Sequence, residues 1–388
     1  MKLIDQSSIR RQNLTRIVDT LSGSGGITRQ EIVRRTGLSL MSVSNLIDTL
    51  APHGAVDVLT DKKTRGSVGR PAELISLAAR QLVFAVIDLI SLSFRFDLVA
   101  LDGSQLGDTS MFPYDPANSY QENLEAFLKK HQQVLSDLGN RVLGIAIAVP
   151  GPYDAHRDRV VNKRIPELGD IPLKALVQDI LGHSRIFVDE DVKFAVQDSM
   201  EYAPSGSGTL MFYLHLDEGV GGAVVHDGTI LRGLNAMTGD IGQLDSGVRG
   251  TFESRTSMAA FSLLLGLDPE QVKTNRDLMA QRRTAKPELY QAALNRLADE
   301  TARMLDALGW IIDPHVFVID CTYLNDEDKA QFANLVTDKM KEIAWEDSLH
   351  RPKVRMTGGS LSQVSRGAAR TLRNLWIRDL SNPQSQTE

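Results

Sequence analysis

Two helical patterns joined by a glycine turn near the N-terminus constrain the fold of this chain most strongly. The first begins at Thr28, where Glu31 completes a capping-box pattern in which each side chain satisfies the other's free backbone donor. It ends at Gly37, and Ser39 then caps a second helix. The second helix carries an apolar stripe at helical spacing: Val43, Leu46, Ile47 and Leu50. A short helix, a tight turn with glycine and a second helix predict a helix-turn-helix.

The outward face of the second helix is suited to DNA. Its apolar stripe must be buried, so the small and polar residues near its N-terminus are free to enter a major groove. The candidate contacts are Ser39, Leu40, Met41, Ser42 and Asn45. Asn45 can pair with an adenine edge. The alternative for each polar side chain is simple solvation, but as a set they favour DNA.

A basic segment follows between two short predicted strands, one at Val56 and Val58 and the other at residues 74–77. Its four cations are Lys62, Lys63, Arg65 and Arg70. This is the composition of a wing, a hairpin whose cations neutralise phosphates. Arg70 lies in a narrow Gly-Arg-Pro tripeptide that fits an A·T minor groove, although a solvated turn is the alternative.

The charge distribution agrees with a nucleic-acid partner at one end only. Residues 1–80 carry a net charge of +5, and the rest of the chain carries −11. Chance clustering is the alternative explanation. The single cysteine, Cys321, has no Cys or His cluster around it, so no metal site is expected. No apolar run is long enough to span a membrane and no signal peptide is evident, so we expect a cytoplasmic protein.

Strands and helices alternate after residue 80, which predicts an α/β fold. The predicted strand segments are 81–90, 94–103, 141–154, 185–192 and 209–233, with the first two forming a hairpin closed by Asp102-Gly103. The predicted helices are 119–138, 172–181, 255–265 and 287–310. Several strands end in Pro-Gly, Asp or Gly-Gly, which is where small ligands usually bind in such folds.

The order of motifs resembles the ROK family of bacterial sugar kinases and transcriptional repressors. The matching pieces are ITRQEIVRRTGLSLMSVSNLIDTL, GRPAELISL, AVPGPYD, FVDEDV, DEGVGGAVV, LRGLNAMTGDIGQL and TFES. The resemblance implies a winged helix-turn-helix at 1–80 before a two-lobed, actin-like body of the sugar-kinase type. We expect a small lobe at 81–195 with a C-terminal helix at 373–388, and a large lobe at 196–372 with a dimerisation surface.

Departures from the kinase pattern argue against catalysis. The family's first phosphate loop is Asp-x-Gly-x-Thr, and here Ile90 and Leu92 replace its glycine and threonine. The second loop begins with Asp217 and Glu218, whose carboxylates repel phosphate. The family zinc site is also missing its ligands, since no cysteine lies between Gly239 and Cys321. We therefore expect no ATP, no zinc and no enzyme activity.

The resemblance also places a sugar-type effector between the lobes. Asp191 matches the kinase's catalytic base, Asp240 and Glu253 match acids that bind sugar hydroxyls, and Gln243 replaces a zinc-binding histidine. Asn162 and Arg164 compete for the position of a sugar-binding asparagine. Glu190 and Lys193 replace neighbours that are usually asparagines. The full set is Asn162, Arg164, Glu190, Asp191, Lys193, Asp240, Gln243 and Glu253.

Two interpretations of this unusual pocket remain open. Arg164 and Lys193 add positive charge, which suits a sugar phosphate or sugar acid. Alternatively, they only neutralise the surrounding acids, and Asp191 is a vestigial acid paired with Lys193.

Three functions follow from the sequence. The first is a DNA-binding regulator, a repressor of carbohydrate-related genes that is controlled by a sugar or sugar derivative. Such a protein would act as a homodimer or homotetramer on an inverted-repeat operator. The second is a sugar kinase with a DNA-binding appendage. The third is a ligand-independent DNA-binding dimer whose pocket has decayed.

Overall fold

The computed structural model describes residues 6–60, 73–90, 93–162, 165–204, 206–245, 250–342, 351–358 and 362–382. The chain forms two compact units. The first contains Met1–Asp189 and Ser365–Glu388, and the second contains Glu190–Val364. No helix within the described ranges is long and apolar enough to cross a membrane.

The N-terminal head of the first unit, residues 6–80, has three helices and a small sheet. Its elements are α1 (Gln6–Leu21), β1 (Ile27–Thr28), α2 (Arg29–Thr36), α3 (Leu40–Leu50), β2 (Val56–Thr60) and β3 (Glu73–Leu77). The strand order is β1-β3-β2, with both pairings antiparallel. Thr60 pairs with Glu73, so residues 61–72 join two neighbouring strands. This is the arrangement of a winged helix-turn-helix, as predicted.

The apolar stripe predicted for α3 lies in the core of the head, together with a second stripe on α1. The buried residues of α1 are Leu14, Ile17, Val18 and Leu21, and those of α3 are Val43, Leu46, Ile47 and Leu50. Gly37 ends α2 in the left-handed conformation, with φ at 71°. A β-carbon disfavours that conformation, so glycine suits the turn between the two helices.

The predicted capping box at the start of α2 is only half right. Thr28 Oγ1 accepts a hydrogen bond from the Glu31 amide at 3.2 Å, as expected. The Glu31 carboxylate, however, accepts hydrogen bonds from Arg34 and Arg35, at 2.6–2.8 Å. These three hydrogen bonds lower the pKa of Glu31 to about 2. Arginines three and four residues later reach the carboxylate along the helix surface, which draws it away from the helix end.

The body of the first unit is built on a five-stranded sheet in the order β10-β7-β4-β5-β6. Its elements are β4 (Val83–Ile90), β5 (Ser93–Ala100), β6 (Gln105–Pro113), α4 (Tyr120–Leu138), β7 (Val142–Val149), β8 (Tyr153–Asp154), β9 (Arg159–Val160), α5 (Leu173–Leu181) and β10 (Ile186–Glu190). The predicted hairpin of β4 and β5 exists, but its turn was misplaced. Ile90 pairs with Ser93, and the Asp102-Gly103 turn leads instead into β6. β6 escaped prediction because it is an edge strand with mostly exposed or half-exposed residues.

The second unit is built on a sheet in the order β13-β12-β11-β14-β15, in which β11, β14 and β15 are parallel. Its elements are α6 (Asp191–Asp198), β11 (Leu210–Leu216), β12 (Val220–His226), β13 (Thr229–Leu231), α7 (Glu253–Thr256), α8 (Met258–Leu264), α9 (Pro269–Thr274), α10 (Asp277–Ala285), α11 (Pro287–Ile312), β14 (Val316–Cys321), α12 (Asp326–Glu342) and β15 (Lys353–Met356). The predicted helix 255–265 is two helices, because Ser257 is extended and caps α8 through its side chain. The α/β fold class is confirmed.

The last helix, α13 (Gln363–Ser381), returns the chain to the first unit and contacts both its body and its head. Near its start, Ser365 Oγ donates a hydrogen bond of 2.6 Å to Asp97 on β5. Farther along, Arg373 Nη2 donates one of 2.8 Å to Asp19 on α1. The rings of Trp376 and His53 pack edge to face, with centroids 6.4 Å apart. The C-terminal helix therefore fixes the head to the body.

We expect Asp19→Asn to weaken this attachment, because Arg373 is largely buried and would lose the carboxylate that compensates its charge. Since Asp19 itself is half exposed, the free energy of unfolding should fall by only about 1 kcal/mol. Urea denaturation of the full chain measures this. Asp48→Asn, an equal charge change at an exposed position of α3, is the matched control and should change stability by less than about 0.5 kcal/mol. Equal effects of the two substitutions would show that the pair does not hold the head.

Candidate nucleic-acid interface and effector site

The N-terminal half of α3 presents the face that the sequence predicted. Met41, Asn45 and Asp48 are exposed and lie one turn apart along one side of the helix. Leu40 lies beside them with 52% of its surface exposed, and Met41 is 76% exposed. Ser39 Oγ accepts a hydrogen bond from the Ser42 amide at 3.1 Å. Ser39 thus serves the helix as its cap, and the face available to a partner combines apolar and polar side chains.

Two arginines of α1 brace the helix-turn-helix, and nothing in the sequence pattern indicated them. Arg10 Nη2 donates a hydrogen bond of 3.0 Å to Thr49 Oγ1 on α3. Arg16 Nη1 donates one of 3.2 Å to the Thr36 carbonyl oxygen at the end of α2. These contacts join residues 39 and 20 positions apart. Both guanidinium groups therefore donate hydrogen bonds to neutral acceptors inside the head.

The positive charge of the head is concentrated in the wing segment. The head outside residues 61–72 has a net charge of +2, and residues 61–72 alone have +3. Arg29 forms an ion pair with Glu73, and Arg34 and Arg35 share Glu31, so much of the remaining charge is compensated locally. The predicted phosphate and minor-groove contacts, Lys62, Lys63, Arg65 and Arg70, lie outside the described residues.

In the second unit, the predicted effector residue Lys193 is a buried structural group. Its side chain is 1% exposed. Its ammonium donates hydrogen bonds of 2.9 Å to the carbonyl oxygens of Gly222 and Thr238, and lies 3.5 Å from the Glu190 carboxylate. Three acceptors match the three N–H groups of an ammonium. The geometry therefore favours the interpretation that Lys193 neutralises Glu190, and it does not support a contact with an anionic ligand.

Close backbone packing surrounds that ammonium. A Cβ on Gly239 would lie 2.5 Å from the carbonyl oxygen of Gly222, and Gly239 has φ of 93°. A Cβ on Gly222 would lie 2.7 Å from the Tyr213 carbonyl oxygen. Only glycine fits at both positions. The glycines kept from the family motif thus press the loop before Asp240 against β12, which brings both carbonyl groups within reach of Lys193.

Two other predicted residues of this unit also make internal contacts. Glu253 Oε2 accepts a hydrogen bond from the Val220 amide at 3.1 Å, and Glu253 Oε1 accepts one from Gln243 Nε2 at 3.2 Å. The start of β12 is thereby joined to the start of α7. Gln243 remains exposed, and Asp191 and Asp240 are half-buried. Four predicted effector residues of this unit keep some exposed surface. They are the carboxylates Asp191, Asp240 and Glu253 and the amide Gln243.

In the first unit, Asn162 braces the Pro-Gly-Pro turn. Its side-chain amide donates a hydrogen bond to the Pro150 carbonyl oxygen, and its oxygen accepts one of 3.0 Å from the Ile165 amide. This structural role competes with the predicted role as a sugar ligand. Arg164, the other candidate for that position, lies outside the described residues.

In each of the two segments that match a phosphate loop of the family's kinases, the first acidic residue is paired with an arginine. Asp88 lies 3.2 Å from Arg95, directly across the β4–β5 pair. Asp217 lies 2.9 Å from Arg276. The predicted repulsion of phosphate by Asp217 must be revised, because that carboxylate is paired.

A buried polar network that the sequence did not reveal lies on β11 and β14. His215 Nδ1 is 3.0 Å from Asp320, and the same carboxylate accepts hydrogen bonds from Tyr213 Oη at 3.0 Å and Thr357 Oγ1 at 2.8 Å. Burial disfavours the imidazolium, but the hydrogen bond and charge of Asp320 outweigh it and raise the pKa of His215 to about 9. Burial likewise opposes ionisation of Asp320, yet its bonds to His215 and Thr357 lower its pKa.

A surface cavity of about 350 Å³ lies between α10, α11 and α12, and none of the predicted effector residues lines it. Its polar side chains are largely satisfied by one another, since Tyr290 and Arg283 both contact the buried Asp328 carboxylate. In the described part of the chain, no group of three or more His, Cys, Asp or Glu side chains is arranged to hold a metal ion.

Together, the winged head and the α/β body define a regulator-type architecture built on a sugar-kinase-like frame. The model of the ROK family matches residues 86–369. The chain belongs to the ROK family.

Known relatives include both repressors and kinases. An uncharacterized protein of Clostridium perfringens is 22% identical over 288 residues, which are 70% of this chain and 91% of that protein. The xylose repressor of Bacillus spizizenii is 22% identical over 292 residues, covering 71% of this chain and 73% of the repressor.

Solved structures confirm the fold over nearly the whole chain. A ROK family transcriptional regulator, described as a homolog of the E. coli MLC protein, has a TM-score of 0.68 at 17% identity and covers 96% of this chain and 97% of its own. A ROK family glucokinase from Streptomyces griseus, in complex with glucose and AMPPNP, has a TM-score of 0.61 at 15% identity. The match covers 74% of this chain and 98% of the glucokinase chain. The match to the glucokinase confirms the predicted sugar-kinase-like body.

The His215–Asp320 pair should make the protein less stable in alkali. His215 has a raised pKa, so its contribution is complete below about pH 6.5 and is lost as the pH rises to about 9. Asp320 has a lowered pKa, so its contribution is lost only in acid, below about pH 4. Between pH 6.5 and 9.5 the free energy of unfolding should fall by about 3 kcal/mol more in the wild type than in a His215→Gln, Asp320→Asn double variant.

Urea denaturation at several pH values measures the difference. The comparison removes the contributions of titrating groups that do not interact with the pair, because these are common to both proteins. Parallel pH profiles would show that the buried pair contributes no charge interaction.

Proposed function

We propose that this protein is a DNA-binding transcriptional regulator, a repressor of carbohydrate-related genes, whose ROK body senses a sugar rather than phosphorylating one. The observation that carries the proposal is the winged head, with α3 presenting Met41 and Asn45 outward and a cationic segment joining β2 to β3. The repressor relatives and the full-length likeness to a ROK regulator support the same assignment. A homodimer or homotetramer reading an inverted repeat fits this class of head.

The kinase alternative has one feature in its favour, the aspartate that begins α6. Asp191 stands at the position of the family's catalytic base, and kinases are among the structural neighbours. Against it, Ile90 and Leu92 stand where the family's first phosphate loop has glycine and threonine, and Asp88 of that segment is paired with Arg95. A coupled ADP-release assay over common hexoses tests the alternative. Turnover that Asp191→Asn abolishes would establish a kinase and overturn the sensing-only proposal.

The effector is expected to be a neutral sugar. The predicted residues that reach the surface of the second unit are the carboxylates Asp191, Asp240 and Glu253 and the amide of Gln243. Carboxylates accept hydrogen bonds from sugar hydroxyls and repel phosphates or sugar acids. The sequence suggested that Lys193 could bind an anionic ligand, but its ammonium already donates hydrogen bonds to two backbone carbonyl oxygens.

Isothermal titration calorimetry of the full chain with neutral sugars, sugar phosphates and sugar acids tests this expectation. We expect heat from at least one neutral sugar, and loss of that heat in Asp240→Asn. Binding of sugar phosphates or sugar acids alone would show instead that the effector is anionic. No binding by any class would favour a ligand-independent regulator.

Removing cations from the wing should reduce the salt dependence of DNA binding. Each phosphate contact contributes about 0.9 to the slope of log affinity against log salt concentration. We expect Lys62→Ala with Lys63→Ala to lower that slope by up to about 1.8 on a duplex selected from a random-sequence pool.

The matched control is Lys129→Ala with Lys130→Ala, which makes the same charge change on α4 of the body. It should leave the slope unchanged. An equal change in the slope for both double variants would indicate a net-charge effect. No change in either would show that Lys62 and Lys63 do not contact DNA phosphates.

A further inference from the structure

The helix that the proposed function assigns to base reading contains no basic residue. The sequence of α3 is LMSVSNLIDTL, and its one charged side chain is Asp48. Bidentate pairing of arginine or lysine with guanine is the commonest specific contact in the major groove. α3 has no group that can make it, so guanine is not what this helix is equipped to recognise.

The first turn of α3 instead exposes two large apolar side chains. Leu40 is 52% exposed and Met41 76% exposed, while the rest of the helix's apolar residues are buried in the head. Exposed side chains of this size are unfavourable in water and gain stability when a partner covers them. The flanking Ser39 and Ser42 are small, so no bulky neighbour on the same turn prevents Leu40 and Met41 from approaching a flat surface.

The thymine 5-methyl group is the apolar feature of the major-groove floor in unmodified DNA. We propose that Leu40 and Met41 are specificity-determining residues that recognise thymine methyl groups, next to an adenine recognised by Asn45. The inference rests on the proposed DNA-reading function and adds its base preference. Each operator half-site then contains thymines under the first turn of α3, with sequence information carried by apolar contact and one amide.

Asn45 and Met41 occupy neighbouring positions on the exposed face, four residues apart. An amide can accept from and donate to the adenine edge, and the thymine paired with a neighbouring adenine offers its methyl group in the same groove. Runs of A·T pairs therefore satisfy both kinds of side chain at once. Asp48, one turn farther along, adds negative charge and keeps that end of the helix from approaching phosphates closely.

Replacing thymine by deoxyuridine tests the proposal without altering the protein. The full chain first selects a duplex from a random-sequence pool, and each thymine of the selected half-site is then replaced singly by deoxyuridine, which removes only the methyl group. We expect one or two positions at which binding weakens about fourfold, the effect of exposing one buried methyl-sized group. Leu40→Ala and Met41→Ala should each bind thymine and deoxyuridine duplexes equally at the position that side chain contacts.

Ile9→Ala is the matched control, because Ile9 is an exposed apolar residue of the same head, on α1. It should leave the thymine preference intact. If the protein selects no duplex, the DNA-reading function itself fails. If it selects one but no deoxyuridine substitution weakens binding, or the preference survives in both alanine variants, thymine recognition is wrong while DNA reading stands.

Discussion

The buried ammonium of Lys193 is the interaction on which the second unit's predicted site depends. It joins the start of α6 to β12 and to the loop that carries Asp240, through two carbonyl oxygens and the Glu190 carboxylate. Removing a partner from such a buried group leaves unpaired polar atoms and is strongly destabilising. The positive charge therefore keeps the loop in place. The predicted effector residues of this unit that keep exposed surface are mainly acidic, which suits the hydroxyl recognition proposed above.

A comparable dependence links the head to the end of the chain. Asp19 on α1 meets Arg373 on α13, and His53 meets Trp376. The same helix is bound to the body through Ser365 and Asp97 near the point where the chain re-enters the first unit. One continuous helix therefore contacts the body near its start and the head farther along.

Features determined by local sequence were predicted, and features determined by distant contacts were not. The apolar residues Val43, Leu46, Ile47 and Leu50 repeat at helical spacing, and Ser39 caps the helix. The position of α3 could therefore be predicted from the sequence. The acceptors of Lys193 are backbone carbonyls, which every residue carries, and their positions depend on how the loop before Asp240 folds onto β12. The His215–Asp320 pair joins residues 105 positions apart. Nothing in the local pattern of either strand marks them as partners.

In the proposed DNA-binding function, the head assigns phosphate attraction and base recognition to different kinds of side chain. Phosphate attraction requires cations, and these are concentrated in residues 61–72, whereas α3 has none. Base recognition by α3 must then come from uncharged groups, namely the Asn45 amide and apolar surface. Contacts of that kind release few counterions, so they discriminate between sequences with little dependence on salt. The proposed function therefore makes affinity and specificity physically separable. Under it, a substitution on α3 changes the preferred sequence while the electrostatic attraction to DNA stays the same.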